Sequence, residues 1–128
     1  MSFGYMIATP IPIADFERLR DKGIEYELRG RGEIILKDPQ DNYVWAHVGS
    51  DDSGGITYFS RYYPNNSSYI MSAIADEFGQ HIFASVPEND GAAPIYSPAK
   101  FDKPLPPHPD FKNEPEGDRG NLYPVEPV

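Results

Sequence analysis

The residues of this 128-residue chain that could do chemistry are three histidines, twenty acidic residues and a scatter of serines; cysteine is absent. No disulfide framework and no thiolate metal site can therefore form. His47, His81 and His108 lie more than 25 residues apart, with no His-x-His or HExxH spacing. Asp51-Asp52-Ser53-Gly54-Gly55 resembles the opening of a calcium loop. It lacks the alternating ligands and closing Glu of such a loop, so a hairpin turn is the stronger reading. Ser60, Ser67 and Ser68 have no histidine close in sequence and no G-x-S-x-G around them. Gly30-Arg31-Gly32 lacks the third glycine of a phosphate loop and sits between two strands. Glu25 and Glu27 share one face of an alternating segment, with Glu33 just beyond. Paired carboxylates in a glycosidase face each other across a cleft. Neighbours on one strand face more often make a solvated surface. No catalytic residue, metal ligand or cofactor is expected.

The formal net charge is −9. Residues 1–86 carry −5 of it and residues 87–128 carry −4. Such a surface repels a nucleic-acid backbone or an anionic membrane and attracts a basic protein. It also serves plain solubility. Residues 1–10 have no basic region followed by a long apolar run, so no secretory signal is expected. No segment has the ~18 apolar residues of a bilayer span. A cytoplasmic protein is expected.

The elements that must position these residues follow from periodicity. Ile13, Phe16 and Leu19 form one helical stripe within residues 9–22, with Thr9 as cap and Gly23 as stop. Ile24, Tyr26 and Leu28 then alternate with Glu25, Glu27 and Arg29, the signature of a half-exposed strand. Glu33–Lys37, Tyr43–Val48 and Ile56–Tyr62 read as three further strands joined by short turns, hence an antiparallel meander. A second helix follows residues 64–67, with Ile70, Ile74 and Phe78 as its apolar ridge and Gly79 as its end. Residues 80–86 read as a last strand. The expected domain, residues 1–86, is α+β: a single antiparallel sheet of about five strands, packed by two helices on one face.

Residues 87–128 hold ten of the 14 prolines. The run Pro-Leu-Pro-Pro-His-Pro at 104–109 favours polyproline II. Yet this arm keeps Ile95, Tyr96, Phe101, Leu105, Phe111, Leu122 and Tyr123, more large apolar residues than a disordered tail usually has. It is expected to pack partly on the domain, with a mobile end. Strict alternation along residues 56–62 would put Tyr58 and Tyr62 with Ile56 towards the helices and Thr57, Phe59 and Arg61 on the other face. That second face reads as a protein-binding patch or, more strongly, as a face covered by the arm.

The segment Tyr-Ile-Met-Ser-Ala-Ile-Ala-Asp-Glu-Phe-Gly-Gln-His-Ile-Phe at 69–83 resembles a pattern in small bacterial α+β proteins. Many of these are immunity proteins that accompany polymorphic or contact-dependent toxins. The resemblance extends over residues 58–86 and carries over no functional residue. It implies a small, cytosolic, non-catalytic and often acidic protein, whose toxin is often a basic nuclease. The expected function is therefore protein binding, as a toxin-neutralising immunity protein. The candidate contacts are Glu25, Glu27, Glu33, Asp51, Asp52 and Phe59. The alternative is a structural or adaptor protein, phage or virulence associated, that offers its proline-rich arm to a partner groove. A third reading is a small enzyme whose residues converge only in space.

Overall fold

The structure is a computed structural model and describes residues 2–30, 32–49, 54–62, 66–84 and 94–100. Its elements are strand β1 (Ser2–Ile11), a 3-10 helix η1 (Ile13–Lys22), strands β2 (Glu25–Leu28), β3 (Glu33–Lys37), β4 (Tyr43–Val48) and β5 (Ile56–Tyr62), helix α1 (Ser68–Phe78) and strand β6 (Ile82–Ala84). The strands form one antiparallel sheet in the order β2-β3-β4-β5-β1-β6. The meander of β2 to β5 is as the turn spacing predicts. The sheet has six strands where the sequence reading counts five, because Ser2–Ile11 forms a strand that pairs between β5 and β6.

That N-terminal strand also corrects the first helix. Residues 9–11 belong to β1, and Thr9 is no helix cap: its N–H meets Gln80 Oε1 at 3.4 Å, and its carbonyl accepts from Gln80 Nε2 at 2.9 Å. The reason is local. A residue before proline is driven out of the α region, and both Thr9 and Ile11 precede one. The helix starts only after Pro12, whose carbonyl accepts from Asp15 N–H at 3.0 Å. It ends as expected at Gly23, whose φ of +81° is left-handed and whose N–H returns to Arg20. Helix α1 ends the same way at Gly79.

Both helices lie on one face of the sheet. Phe16 and Leu19 of η1 and Ile70, Met71 and Ile74 of α1 share one buried cluster with Ile34, Leu36, Val44, Ala46 and Phe59. Arg18 joins the helices across their exposed side, donating to Glu77 Oε2 and to the Glu77 carbonyl at 3.0 Å each. Its guanidinium lies 4.7 Å from the centre of the Phe78 ring.

Beyond β6 the described residues of the arm, 94–100, run along the sheet edge. Tyr96 bridges Ile82, and its ring meets Tyr5 edge-on at 6.2 Å on the helix side. His81 Nδ1 lies 2.8 Å from Ser97 Oγ, and Ala99 N–H donates to Asp76. The β6 edge is thus occupied by the chain itself, whereas β2 ends the sheet on the other side.

Candidate functional site

A one-residue irregularity in β5 decides which side chains reach which face. Val48 pairs with Ile56, but His47 pairs with Tyr58, so Thr57 is an extra residue in the ladder. A bulge of this kind reverses the alternation beyond it. Ile56 and Phe59 therefore both face the helices, and Tyr58 and Ser60 face away. Phe59 is accordingly no surface contact. It has no exposed area and packs edge-on against Phe16, 6.5 Å between ring centres. The reading that placed it on an outer face assumed unbroken alternation.

The face away from the helices is laid out in cross-strand rows. Glu33, His47, Tyr58, Met6 and Phe83 form one row, from β3 to β6. Ile35, Trp45, Ser60 and Gly4 form the next. Within these rows three polar groups meet. His47 Nε2 is 3.2 Å from Ser60 Oγ, and His47 Nδ1 is 3.5 Å from Glu33 Oε2. The Tyr58 ring stands edge-on to the imidazole at 5.8 Å.

Hydroxyl, imidazole and carboxylate in this order form the constellation that activates a nucleophile. Here Ser60 has no exposed surface and His47 is 2% exposed. Ser60 also lies within a regular ladder and not on the exposed turn that presents a catalytic serine. What the geometry does is give a buried imidazole a hydrogen-bond partner at Nε2 and a carboxylate 3.5 Å from Nδ1, which suits a polar group in this position. Sequence reasoning missed the convergence because its members are 14 and 13 residues apart along the chain. Its signal was the meander itself, which sets Glu33 opposite His47.

A second polar group is left open. The Trp45 side chain is 9% exposed, and its Nε1 finds no acceptor among the described residues.

The remaining acidic candidates are divided. Glu25 and Glu27 lie exposed on β2, Glu25 opposite Lys37 and Glu27 3.6 Å from Arg29 Nε. Glu33 is half-buried and turned to His47. Asp51 and Asp52 lie outside the described residues, as does His108. Among the described residues no three His, Asp or Glu side chains group to hold a metal ion. No described helix is long and apolar enough to cross a membrane.

Strand β2 is the accessible backbone of this acidic region. Arg29 N–H donates to the Glu33 carbonyl at 2.8 Å, which makes that pair hydrogen-bonded. Antiparallel alternation then makes Glu27/Ile35 and Glu25/Lys37 hydrogen-bonded pairs too. The N–H and C=O groups of Tyr26 and Leu28 point away from the sheet. Leu28 is 64% exposed at the same edge. Comparison with protein-family models, with curated proteins and with solved structures finds no match to this chain.

Proposed function

We propose that the protein is a non-catalytic binding module that neutralises a basic protein partner, a toxin domain in the manner of an immunity protein, and docks it along β2. The observation that supports this most directly is the asymmetry of the sheet edges. The β6 edge is occupied by Tyr96, whereas no described strand pairs with the outward backbone groups of Tyr26 and Leu28 on β2, which alternate with two exposed carboxylates, Glu25 and Glu27. An extended basic segment would gain main-chain hydrogen bonds from the edge and charge pairing from the glutamates. A protein of net charge −9 also steers such a partner in from a distance.

The test is association with basic proteins encoded beside this one. Binding is measured for the native chain and for Glu25→Lys with Glu27→Lys. The double variant is expected to associate about tenfold more slowly at low ionic strength and to lose most of the salt dependence. Equal rates for the two chains overturn the assignment to β2. Failure of the native chain to bind or inhibit any such protein overturns the function itself.

A further inference from the structure

Strand β2 sorts its side chains by chemistry as well as by face. Tyr26 and Leu28 stand opposite Leu36 and Ile34, both members of the buried cluster on the helix side. Tyr26 packs against that cluster, but Leu28 is 64% exposed. Glu25 and Glu27 stand on the other face, opposite Lys37 and Ile35. Arg29 follows them there, its Nε 3.6 Å from Glu27 Oε2. The Glu27 side chain is 65% exposed and that of Arg29 38%. No described strand lies beyond β2. Its outer edge therefore offers an apolar side at Leu28 and a charged side that runs minus, minus, plus from Glu25 to Arg29.

The backbone adds a register. Glu25, Glu27 and Arg29 direct their N–H and C=O groups to β3, whereas those of Tyr26 and Leu28 point outward. A strand added antiparallel would exchange both hydrogen bonds with Tyr26 and with Leu28. Glu25, Glu27 and Arg29 would then sit in the non-hydrogen-bonded pairs, where facing residues come closest, about 4.5 Å between Cα atoms. Every described pairing in the sheet is antiparallel, the arrangement more stable per residue.

Building on the docking of a basic partner along β2, we propose that the partner adds an antiparallel strand of alternating apolar and basic residues. Apolar residues stand opposite Leu28 and Tyr26, Lys or Arg opposite Glu27 and Glu25, and an acidic residue opposite Arg29. Read from its N-terminus, the segment is acidic, apolar, basic, apolar, basic. A uniformly basic segment would leave Leu28 in water and set a cation against Arg29. A uniformly apolar one would desolvate two glutamates without pairing them.

The test uses the native chain and the peptide acetyl-Glu-Val-Lys-Val-Lys-Val-amide, with acetyl-Val-Val-Lys-Lys-Glu-Val-amide as a control of the same composition. Amide spectra of the chain are followed to millimolar peptide. The Tyr26 and Leu28 amide protons are expected to move downfield with the alternating peptide. That peptide should bind about tenfold more tightly than the control, in which both the charge pairs and the apolar contact are misplaced. N-methylation of its first two valines removes the donors to Leu28 and Tyr26 and should abolish the shifts. N-methylation of its lysines, whose N–H groups point away, should leave affinity within about threefold. Glu27→Lys in the chain should weaken the alternating peptide about tenfold, and glutamate in place of the peptide's first lysine should recover the loss. Equal binding of the two peptides, or no shift at Tyr26 and Leu28, overturns the proposal. So does protection of these two amides from exchange in the free chain, which would mean that another segment or a second copy already holds the edge. A chain that binds a basic protein encoded beside it but not the alternating peptide refutes this segment pattern and leaves the function standing. Peptide binding with no such partner refutes the function and leaves the pattern standing.

Discussion

Ser60, His47 and Glu33 occupy three adjacent strands, and the imidazole between them is held from both sides. A side chain so placed fixes the register of β3, β4 and β5 against one another, because a one-residue slip would bury it without partners. Asp38 acts similarly at the β3–β4 turn. Its Oδ1 accepts the N–H groups of Gln40 and Asn42 at 2.8 and 2.9 Å, which lets Asp41 adopt a left-handed φ of +67°. Phe59 shows the contrast between core and surface most clearly. Phe59→Ala is expected to destabilise by about 3–5 kcal/mol, because it empties a site between Phe16 and the sheet. Glu25→Ala on the exposed strand should stay within about 0.5 kcal/mol. Urea unfolding of the two variants measures this directly, and a small loss for Phe59→Ala would contradict its place in the core.

At the scale of elements, local signals carried most of the fold. Strands β2 to β5 announced themselves by alternation and by turns rich in Gly, Pro and Asx, and both helix ends by a glycine. What was not readable depends on pairing between distant residues. Strand β1 has the alternation Phe3, Tyr5, Ile7, but its place between β5 and β6 is set by partners up to 79 residues away. The Thr57 bulge has no sequence mark of its own, and without it Phe59 is assigned to the wrong face. The convergence of Ser60 on His47 is hidden for the same reason. The bulge is supported from the next strand. A Cβ placed on Gly49 would come within 2.5 Å of Thr57 Oγ1 and 3.0 Å of its Cγ2. Gly49→Ala must push against a β-branched side chain that is itself buried, and it should cost about 1–3 kcal/mol. Gly54→Ala, at a left-handed φ of +75° but with open space around it, should cost only the backbone strain of about 1–2 kcal/mol. If the pair is compared with Thr57→Ala added to each, which removes both Oγ1 and Cγ2, the loss should be relieved only for Gly49→Ala. Relief in neither chain would mean that the Gly49–Thr57 contact does not hold the bulge.

At the scale of the whole molecule, among the described residues one edge of the sheet is paired by Tyr96 and the other, β2, has no strand beyond it and carries Glu25 and Glu27. A bare strand edge with an exposed leucine is a template for pairing with another copy. Two copies of β2 meeting antiparallel would bring Glu25 and Glu27 of one against those of the other, on proteins that each carry −9. Like charges directly opposite in a sheet are destabilising, so the same glutamates that would attract a basic segment also reject self-association. Their two effects separate under substitution. Glu25→Val with Glu27→Val removes the repulsion, raises β propensity and leaves Tyr26 and Leu28 their outward backbone groups. Sedimentation of this variant should show concentration-dependent dimers or larger species where the native chain stays monomeric. Glu25→Lys with Glu27→Lys restores repulsion with the opposite sign and should also sediment as a monomer. Added salt should drive the native and lysine chains towards association, because screening weakens repulsion between exposed charges, and leave the valine chain nearly unaffected. A valine variant that remains monomeric at high concentration would show that β2 is blocked by something other than its charge, and the docking edge would then have to be sought elsewhere on the molecule.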